Sequence, residues 1–476
     1  MLVKTLFYER LSNESQGAAL QCNQHLEDTI IEMGYSLIPF SHQLNSFKSQ
    51  IFIPWDRLKF TQLFHSQFSD IAIYCDRGVV FGLPSPCSSR INILVLHGLA
   101  YNFELINSLD HVDLIFTTSE YFAEVAKMML GGLVVSNVEQ LRDMYSFRSE
   151  DNETIIYPLM PPVEKSEFDV DRNDEFLNQF KLNTDHQLVL AHAVQPKKAS
   201  IPAFVGIVVS LVSKFKELNK VFKVFTSSVD CNEINDELTH LSSLNWFDDF
   251  FNIDVQDVRD SFVYTDRLPQ SDLHRLFSMS SLGLCYNEAP ESFGMYVLES
   301  ILNGCPIFSN GSGNMRYSLP ANHGHYIKES HDIYIRNKNG LKMLASEIIS
   351  KLGSLSLGLE ISRGQDFIQS NYNVRLFKRE FRNIVKTLSC RNHQCQERIN
   401  TNNTSVIKRK LYVLSPLVRS VYASSKCVIA DHQKFYLSDN EFNLLVLISE
   451  SSCIQLDCRT SVSAQSLIEK GLICLK

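Results

Sequence analysis

The chain has 476 residues, too many for one ordinary domain, so two or three are expected. Its 44% hydrophobic and 21% charged residues are ordinary globular usage, and a net charge of −8 argues against a polyanionic partner such as DNA or RNA. No apolar run reaches the length of a membrane span, and residues 1–10 lack the basic-then-apolar pattern of a signal peptide. Twelve cysteines are scattered, several of them (Cys75, Cys285, Cys305) inside apolar strands, which reads as buried thiols in a reducing, cytoplasmic protein.

From the N-terminus the pattern alternates. Residues 2–8 read as a strand, a polar loop covers 10–17, a helix spans about 18–33, and Gly34 precedes a strand at 35–40. Apolar runs at 71–74, 91–96, 114–117, 133–135 and 155–157 continue the strand series. Alternation of this kind implies a parallel sheet covered by helices, in a first domain over 1–165. The run 91–96 ends in His97, and a side chain at the carboxyl end of such a strand faces the ligand crevice of an open α/β sheet. Ser119 reads as the N-cap of a helix over 120–129.

Residues 158–183 are rich in Pro, Asp and Glu and read as an interdomain linker, whose Asp169-Val170-Asp171 is taken as a solvated turn rather than a metal-binding pair. A second domain, 184–388, opens with a strand from Leu188, a loop containing Lys197 and Lys198, and a helix over 203–218. Strand, basic loop, helix is the arrangement expected where a diphosphate docks. Strands at 221–226 and 261–264 come next in the chain, then a helix carrying Leu273, Leu276 and Phe277 that Ser271 or Asp272 would cap.

The densest pattern lies beyond that helix. A strand at 282–286 leads into Pro290-Glu291-Ser292-Phe293-Gly294, then a helical apolar pattern that carries Glu299 and stops at Asn303-Gly304, then a short buried strand at 305–308. Eight residues of unbroken helix turn through roughly 800°, about 80° from alignment, so a continuous helix would splay the two carboxylates. With the helix beginning near Gly294, Glu291 lies in the loop and Glu299 more than a turn inside. The pair can then hold two parts of one elongated ligand: carboxylates accept from vicinal sugar hydroxyls, and N–H groups at the helix start favour phosphate. The amide-rich loop 309–314 is flexible in this reading and either lines the ligand or only turns the chain.

Glu-x7-Glu with Phe-Gly inside it, continuing to Gly304-x-Pro306, resembles the donor-site signature of retaining GT-B glycosyltransferases, the GT4 group especially. The resemblance covers about 1–388 and is strongest over 260–325. It implies that Glu291 contacts the donor sugar, that Glu299 holds the nucleotide ribose, that Phe293 and Gly294 belong to the donor loop, and that His97 lies near the reacting sugar. The family carries Gly-Gly in the first loop, where this chain has Gln16-Gly17, so Gly17 is a partial match. It also carries Arg and, five positions on, Lys after the second domain's first strand; here the matching positions are His192 and Lys197. Lys197 or Lys198 would neutralise the leaving diphosphate, whereas His192 lacks the fixed charge and bidentate fork of Arg. No carboxylate is placed as a nucleophile, so leaving-group stabilisation without a metal is expected, with the nucleotide diphosphate sugar as substrate and no cofactor. A helix over 365–388 resembles the terminal helix that crosses back to the first domain in GT-B proteins.

Residues 390–410 turn polar, and the spacings Cys390-x4-Cys395 with His393 and Cys453-x4-Cys458 do not suit zinc. Residues 411–476 then read as a hairpin (418–429 and 435–437), a capping box Ser438-Asp439-Asn440-Glu441 opening an apolar helix, a second helix over 461–470 and a strand at 472–475. This pattern looks like a winged helix, similar to units that bind leader peptides in PqqD-like peptide-modifying systems; few clustered basic residues disfavour nucleic acid. The expectation is an α/β protein with two Rossmann-like domains (GT-B) plus a small C-terminal α+β winged-helix-like domain. Its expected activity is retaining transfer of a hexose from a nucleotide diphosphate sugar to an acceptor hydroxyl, a peptide bound by the C-terminal unit being one class of acceptor. The alternative is a catalytically inactive GT-B protein that binds sugar nucleotide or a partner peptide.

Overall fold

A computed structural model describes residues 1–7, 18–41, 68–75, 89–98, 112–146, 154–168, 173–182, 187–194, 201–227, 231–266, 268–328, 337–389, 411–414, 418–430, 433–450, 454–455, 462–469 and 472–475. The chain forms two compact units, Met1–Pro161 with Val374–Lys476, and Pro162–Asn373.

In the first unit, β1 (Leu2–Phe7), β2 (Ser36–Ser41), β3 (Ser69–Cys75), β4 (Ser89–Leu96), β5 (Leu114–Thr117), β6 (Leu133–Val134) and β7 (Ile155–Pro158) build one sheet in the order β2-β1-β3-β4-β5-β7-β6. Every neighbouring pair is parallel. Residues 91–96 of β4 are all buried, as in a strand covered on both faces. Helix α1 (Ala18–Glu32) buries Cys22, Leu26 and Ile30, one side chain per turn, against Val3, Phe7 and Ile71. Helix α2 (Glu120–Leu130) starts as expected at Ser119, whose Oγ accepts from Phe122 N–H at 3.1 Å. Helix α3 (Val138–Ser146) completes this layer.

The second unit begins where a linker was expected, and that expectation is corrected. Helix α4 (Asn173–Gln179) lies inside 158–183 and buries Phe176 and Leu177 with Leu182, Leu190, Phe225 and Leu276. The acidic composition of this segment hid a short apolar stripe. Strands β8 (Leu188–Val194), β9 (Val221–Ser227), β10 (Phe262–Thr265), β11 (Leu282–Cys285), β12 (Ile307–Ser309) and β13 (His325–Ile327) form a parallel sheet in the order β10-β9-β8-β11-β12-β13. Helix α5 (Ile201–Glu217) is apolar nearly all round because it packs between this sheet and a later helix. Among the described residues the remaining α-helices of the unit are α6 (Cys231–Ser243), α7 (Val255–Ser261), α8 (Gln270–Met279), α9 (Met295–Leu302), α10 (Lys338–Leu352) and α11 (Leu357–Asn371). Helix α8 is preceded by Pro269 as N-cap, with no side-chain cap; Asp272 instead pairs with Arg275 at 3.3 Å.

The single helix expected over 365–388 is two. Tyr372, at φ −122° and ψ 41°, leaves the helical region after α11, and the Asn373 amide donates to the Gln369 and Ser370 carbonyls. Helix α12 (Val374–Ser389) then belongs to the first unit, where Phe377, Phe381, Ile384, Val385 and Leu388 join the core of β1 and α1. Tyr157 Oη donates to Glu380 Oε1 at 2.5 Å, and Glu32 pairs with Lys378 (2.6 Å) and Arg382.

The C-terminal residues are richer in strands than the sequence indicates. They open with β14 (Leu411–Leu414). A meander of β15 (Val418–Tyr422), β16 (Cys427–Ala430) and β17 (Gln433–Tyr436) replaces the hairpin, because a turn at Ala423–Ser425 splits 418–429. A second small sheet has β14 between β18 (Ile454–Gln455) and β19 (Ile473–Leu475). Helices α13 (Asp439–Glu450) and α14 (Val462–Glu469) cover them, and β19 packs against α2. The capping box forms: Ser438 N–H donates to Glu441 Oε2 at 2.8 Å and Glu441 N–H to Ser438 Oγ at 3.4 Å. The cysteine pairs 390/395 and 453/458, His393 and Asp169-Val170-Asp171 lie outside the described residues.

Candidate functional site

The strand order of the second unit reverses between β8 and β11, and in open α/β sheets ligands bind outside the carboxyl ends of strands at such a point. The segment with Glu291 leaves β11 there and enters α9. The helix begins at Gly294, whose φ of +92° places it in the left-handed region, and a Cβ there would come within 3.1 Å of Met315 Cγ. Gly294 is the N-cap and has no side chain with which to cap the first turn, whose N–H groups lack the usual i−4 acceptors inside the helix.

Glu291 is half-buried and tightly framed. Its main chain bridges Gly313, with Asn314 N–H donating to Glu291 O at 2.7 Å, and the Asn287 amide donates to Glu291 Oε1 at 3.1 Å. Asn287 is itself held by Asn310, whose amide donates to Asn287 O at 2.7 Å. A Cβ on Gly313 would lie 2.4 Å from Glu291 O, so only glycine permits this approach. The loop 309–314 is therefore not flexible: Ser309, Asn310, Ser312 and Asn314 are all buried. Phe293 is buried as well. Its ring meets Tyr372 edge-on at 5.5 Å and its carbonyl accepts from the Asn314 amide at 2.7 Å, so its side chain supports the loop rather than presenting a face to a ligand.

Glu299, on α9, lies in a pocket 7% exposed. Its Oε1 accepts from the Gln270 amide at 2.7 Å and lies 3.7 Å from His274 Nε2. No described protein group donates to its other oxygen. The two carboxylates thus occupy a loop and a helix on either side of an uncapped helix start, the arrangement the spacing implies.

His192 is corrected. It lies inside β8 rather than in the loop after it, is 0% exposed, and its ring packs between Phe277 (4.3 Å) and Tyr296 (5.3 Å). Nδ1 meets Tyr296 Oη at 2.6 Å and Nε2 meets Ser300 Oγ at 3.2 Å. Burial pulls its pKa down to about 3, so the side chain carries no charge at neutral pH and cannot reach a phosphate. His97 lies at the carboxyl end of β4, half-buried, with Nε2 2.8 Å from Asn23 Oδ1. Gly17, Lys197 and Lys198 lie outside the described residues.

Sequence reasoning missed Asn287, Gln270 and His274 as neighbours of the two carboxylates, and Asn310 as the residue that holds Asn287. Gln270 and His274 stand four apart on α8 and so share a face, but nothing in the sequence says which face meets α9. An open cavity of about 710 Å³ lies elsewhere, on the α10 face of this sheet, among Phe308, Tyr326, Lys328, Glu347 and Lys351; no residue of the acidic motif lines it.

No family model and no curated relative matches the sequence. Solved structures do match. A glycosyltransferase from Rickettsia africae ESF-5 superposes with a TM-score of 0.56 at 12% identity, covering 82% of this chain and 98% of that one. Anabaena HepE in complex with UDP and glucose gives 0.51 at 12% identity, over 81% and 99%. The catalytic domain of starch synthase IV from Arabidopsis thaliana, bound to ADP and acarbose, gives 0.51 at 12% identity, over 82% and 99%. The fold of this chain is the two-sheet Rossmann-like fold of these glycosyltransferases. Among the described residues no helix is long and apolar enough to cross a membrane.

Proposed function

We propose that the chain is a retaining glycosyltransferase that moves a hexose from a nucleotide diphosphate sugar to an acceptor hydroxyl. The observation that carries this reading is the placement of Glu291 and Glu299 on either side of the uncapped start of α9, at the switch point of the second sheet. Glu291 accepts from donor-sugar hydroxyls, and its setting by Asn287 and Asn314 fixes the direction of its lone pairs. The N–H groups of α9 and the Lys197 or Lys198 ammonium meet the diphosphate, and Glu299 accepts from the ribose. As the anomeric C–O bond breaks, negative charge grows on the departing phosphate oxygen, and prearranged donors there lower the barrier. That neighbours of the same fold were solved with UDP and glucose or with ADP supports a nucleoside diphosphate as the ligand class.

The acceptor side is also part of the proposal: residues 411–476 recruit the acceptor, a peptide or protein hydroxyl being the class that an edge strand of the meander, β15 or β17, suits. The test is to incubate the chain with a panel of nucleotide sugars without acceptor and measure release of nucleoside diphosphate. Release from at least one donor, lost in Glu291→Gln, is expected; no release and no thermal stabilisation by any donor would overturn the reading.

A second reading is favoured by one observation, the burial of His192. A GT-B protein without a cation at that position would bind sugar nucleotide without turning it over. Stabilisation by donor with no release of diphosphate would select it.

A further inference from the structure

We propose that His274 and Tyr372 are positioning residues that tie the two acidic groups of the site to the two points where the chain enters and leaves the second unit; the proposal rests on the donor-site reading above. The chain enters this unit at Pro162 and leaves it at Asn373. The two passing segments are bonded to each other, Val163 N–H donating to Tyr372 O at 2.7 Å. Each then reaches one carboxylate by a short chain of contacts.

On the entering side, Ser166 N–H donates to His274 Nδ1 at 2.9 Å. That bond makes Nδ1 an acceptor and leaves the ring proton on Nε2. Nε2 faces Glu299 Oε1 at 3.7 Å and the Gln270 amide at 2.8 Å, and the same amide lies 2.7 Å from Glu299 Oε1. The ring proton therefore points to the side where Glu299 Oε1 lies, at 3.7 Å an electrostatic rather than a hydrogen-bonding distance, while the Gln270 amide keeps its bond to the same oxygen. His274 is 1% exposed, so its two polar atoms have no water to fall back on, and the orientation of its ring is set from both ends. An apolar residue would fill the place beside Phe277 equally well; two ring nitrogens joining the entering segment to Glu299 have a use only if the carboxylate must be aimed.

On the leaving side, the Tyr372 ring meets Phe293 at 5.5 Å and its Oη donates to Ser318 O at 2.9 Å. Phe293 lies between Glu291 and Gly294, and Asn314 holds both Phe293 O and Glu291 O. Tyr372 is also the residue whose backbone breaks the helix between α11 and α12. One residue thus ends the helix, bonds to the entering segment and braces the Glu291 loop. A shift of either crossing segment changes the aim of a carboxylate, and a ligand that fixes the carboxylates fixes the crossings.

The test uses the full chain and UDP as probe. His274→Phe keeps the ring and removes both nitrogens; its Kd for UDP is expected to rise about tenfold, a typical loss for a hydrogen bond to a charged group. In a Glu299→Gln background the same change should add less than about twofold, since residues acting through one another are not additive. Full multiplication of the two effects would overturn the proposal. His274→Asn, whose amide oxygen can replace Nδ1 toward Ser166, should fold like the parent yet keep the weakened Kd. Tyr372→Leu should bind about tenfold more weakly and Tyr372→Phe should lose less, because the ring meets Phe293; equal losses in the two variants would overturn the role of the ring. Without ligand, Gln270→Leu should speed amide exchange at Ser166 about tenfold, and unchanged exchange would overturn the link to the entering segment. If the parent binds no nucleoside diphosphate while exchange at Ser166 still responds to Gln270→Leu, the donor reading fails and the positioning link stands.

Discussion

The His192 imidazole occupies the volume that a side chain at Gly283 would need: a Cβ there would lie 2.6 Å from His192 Cε1 and 2.3 Å from Ile307 Cδ1. Residues 192 and 283 are register partners on β8 and β11, so the glycine on one strand makes room for the ring on the other. The ring is consequently a core element that positions Tyr296 and Ser300 of the helix carrying Glu299.

Gly283→Ala is therefore expected to destabilise the second unit by about 1–3 kcal/mol through overpacking. Denaturant unfolding measures this directly, and a variant as stable as the parent would refute the account of the His192 site. His192→Arg should be worse, because it forces a permanent charge into a fully buried place; it should give insoluble or unfolded protein rather than tighter phosphate binding.

These residues also mark where the sequence stops being informative. The strand–loop–helix–strand around Glu291 was legible because glycines punctuate it and each apolar run has a distinct length. The facing of His192 was not. Parallel strands buried on both faces have no polar alternation, so nothing in Leu188–Val194 tells which residues look toward α9 and which toward the loop. Helix α4 was hidden by the acidic average of its segment, and the break at Tyr372 was hidden because apolar periodicity continues through it. Asn287, Asn310 and Asn314 read as loop formers, since their roles as buried donors depend on contacts about 20 residues apart in sequence.

Glu291→Gln is expected to lower turnover, and Glu299→Gln to weaken donor binding, each by about tenfold to a hundredfold, the range for a charge-assisted hydrogen bond. Asn287→Asp should mimic Glu291→Gln, because it replaces the donor 3.1 Å from Glu291 Oε1 with a second carboxylate. Steady-state donor hydrolysis separates the two effects as kcat and KM. Parent-like kinetics in all three variants would show that the ligand binds elsewhere.

Two buried histidines make the stability of the second unit depend on pH below neutrality. Burial holds His192 at about 3 and His325 at about 4, against an ordinary value of 6.5. The unfolded chain takes up these protons first as pH falls, so stability is lost progressively below about 6.5 and unaffected by these groups above it. Each contributes a slope of about 1.4 kcal/mol per pH unit in that window, ending near pH 4 for His325 and near pH 3 for His192. Urea unfolding at pH 7.5 and pH 5.5 should show the second unit clearly weaker at the lower value. Equal midpoints would mean that the rings are solvated.

Removal of the C-terminal residues should separate acceptor use from donor chemistry. The acidic motif, its partners and the sheet that carries them all lie within Pro162–Asn373, and α12 completes the first unit by Ser389. Residues 411–476 are not a loosely tethered module, since β19 packs against α2 of the first unit. A chain ending at Ser389 uncovers that part of α2, so a modest loss of stability is expected, a few degrees in melting temperature for about 1 kcal/mol. The helix keeps its Ser119 cap and its buried Phe122, Ala123, Val125 and Ala126, so folding should survive. Donor hydrolysis should then remain near the parent rate, while transfer to a peptide hydroxyl should fall through a higher KM. A binding surface on the same chain raises the local concentration of acceptor, and its removal does not touch the reacting groups. A folded, soluble truncation that transfers to peptide with an unchanged KM would remove the acceptor role from residues 411–476. One that has lost donor hydrolysis would instead make those residues part of the donor machinery.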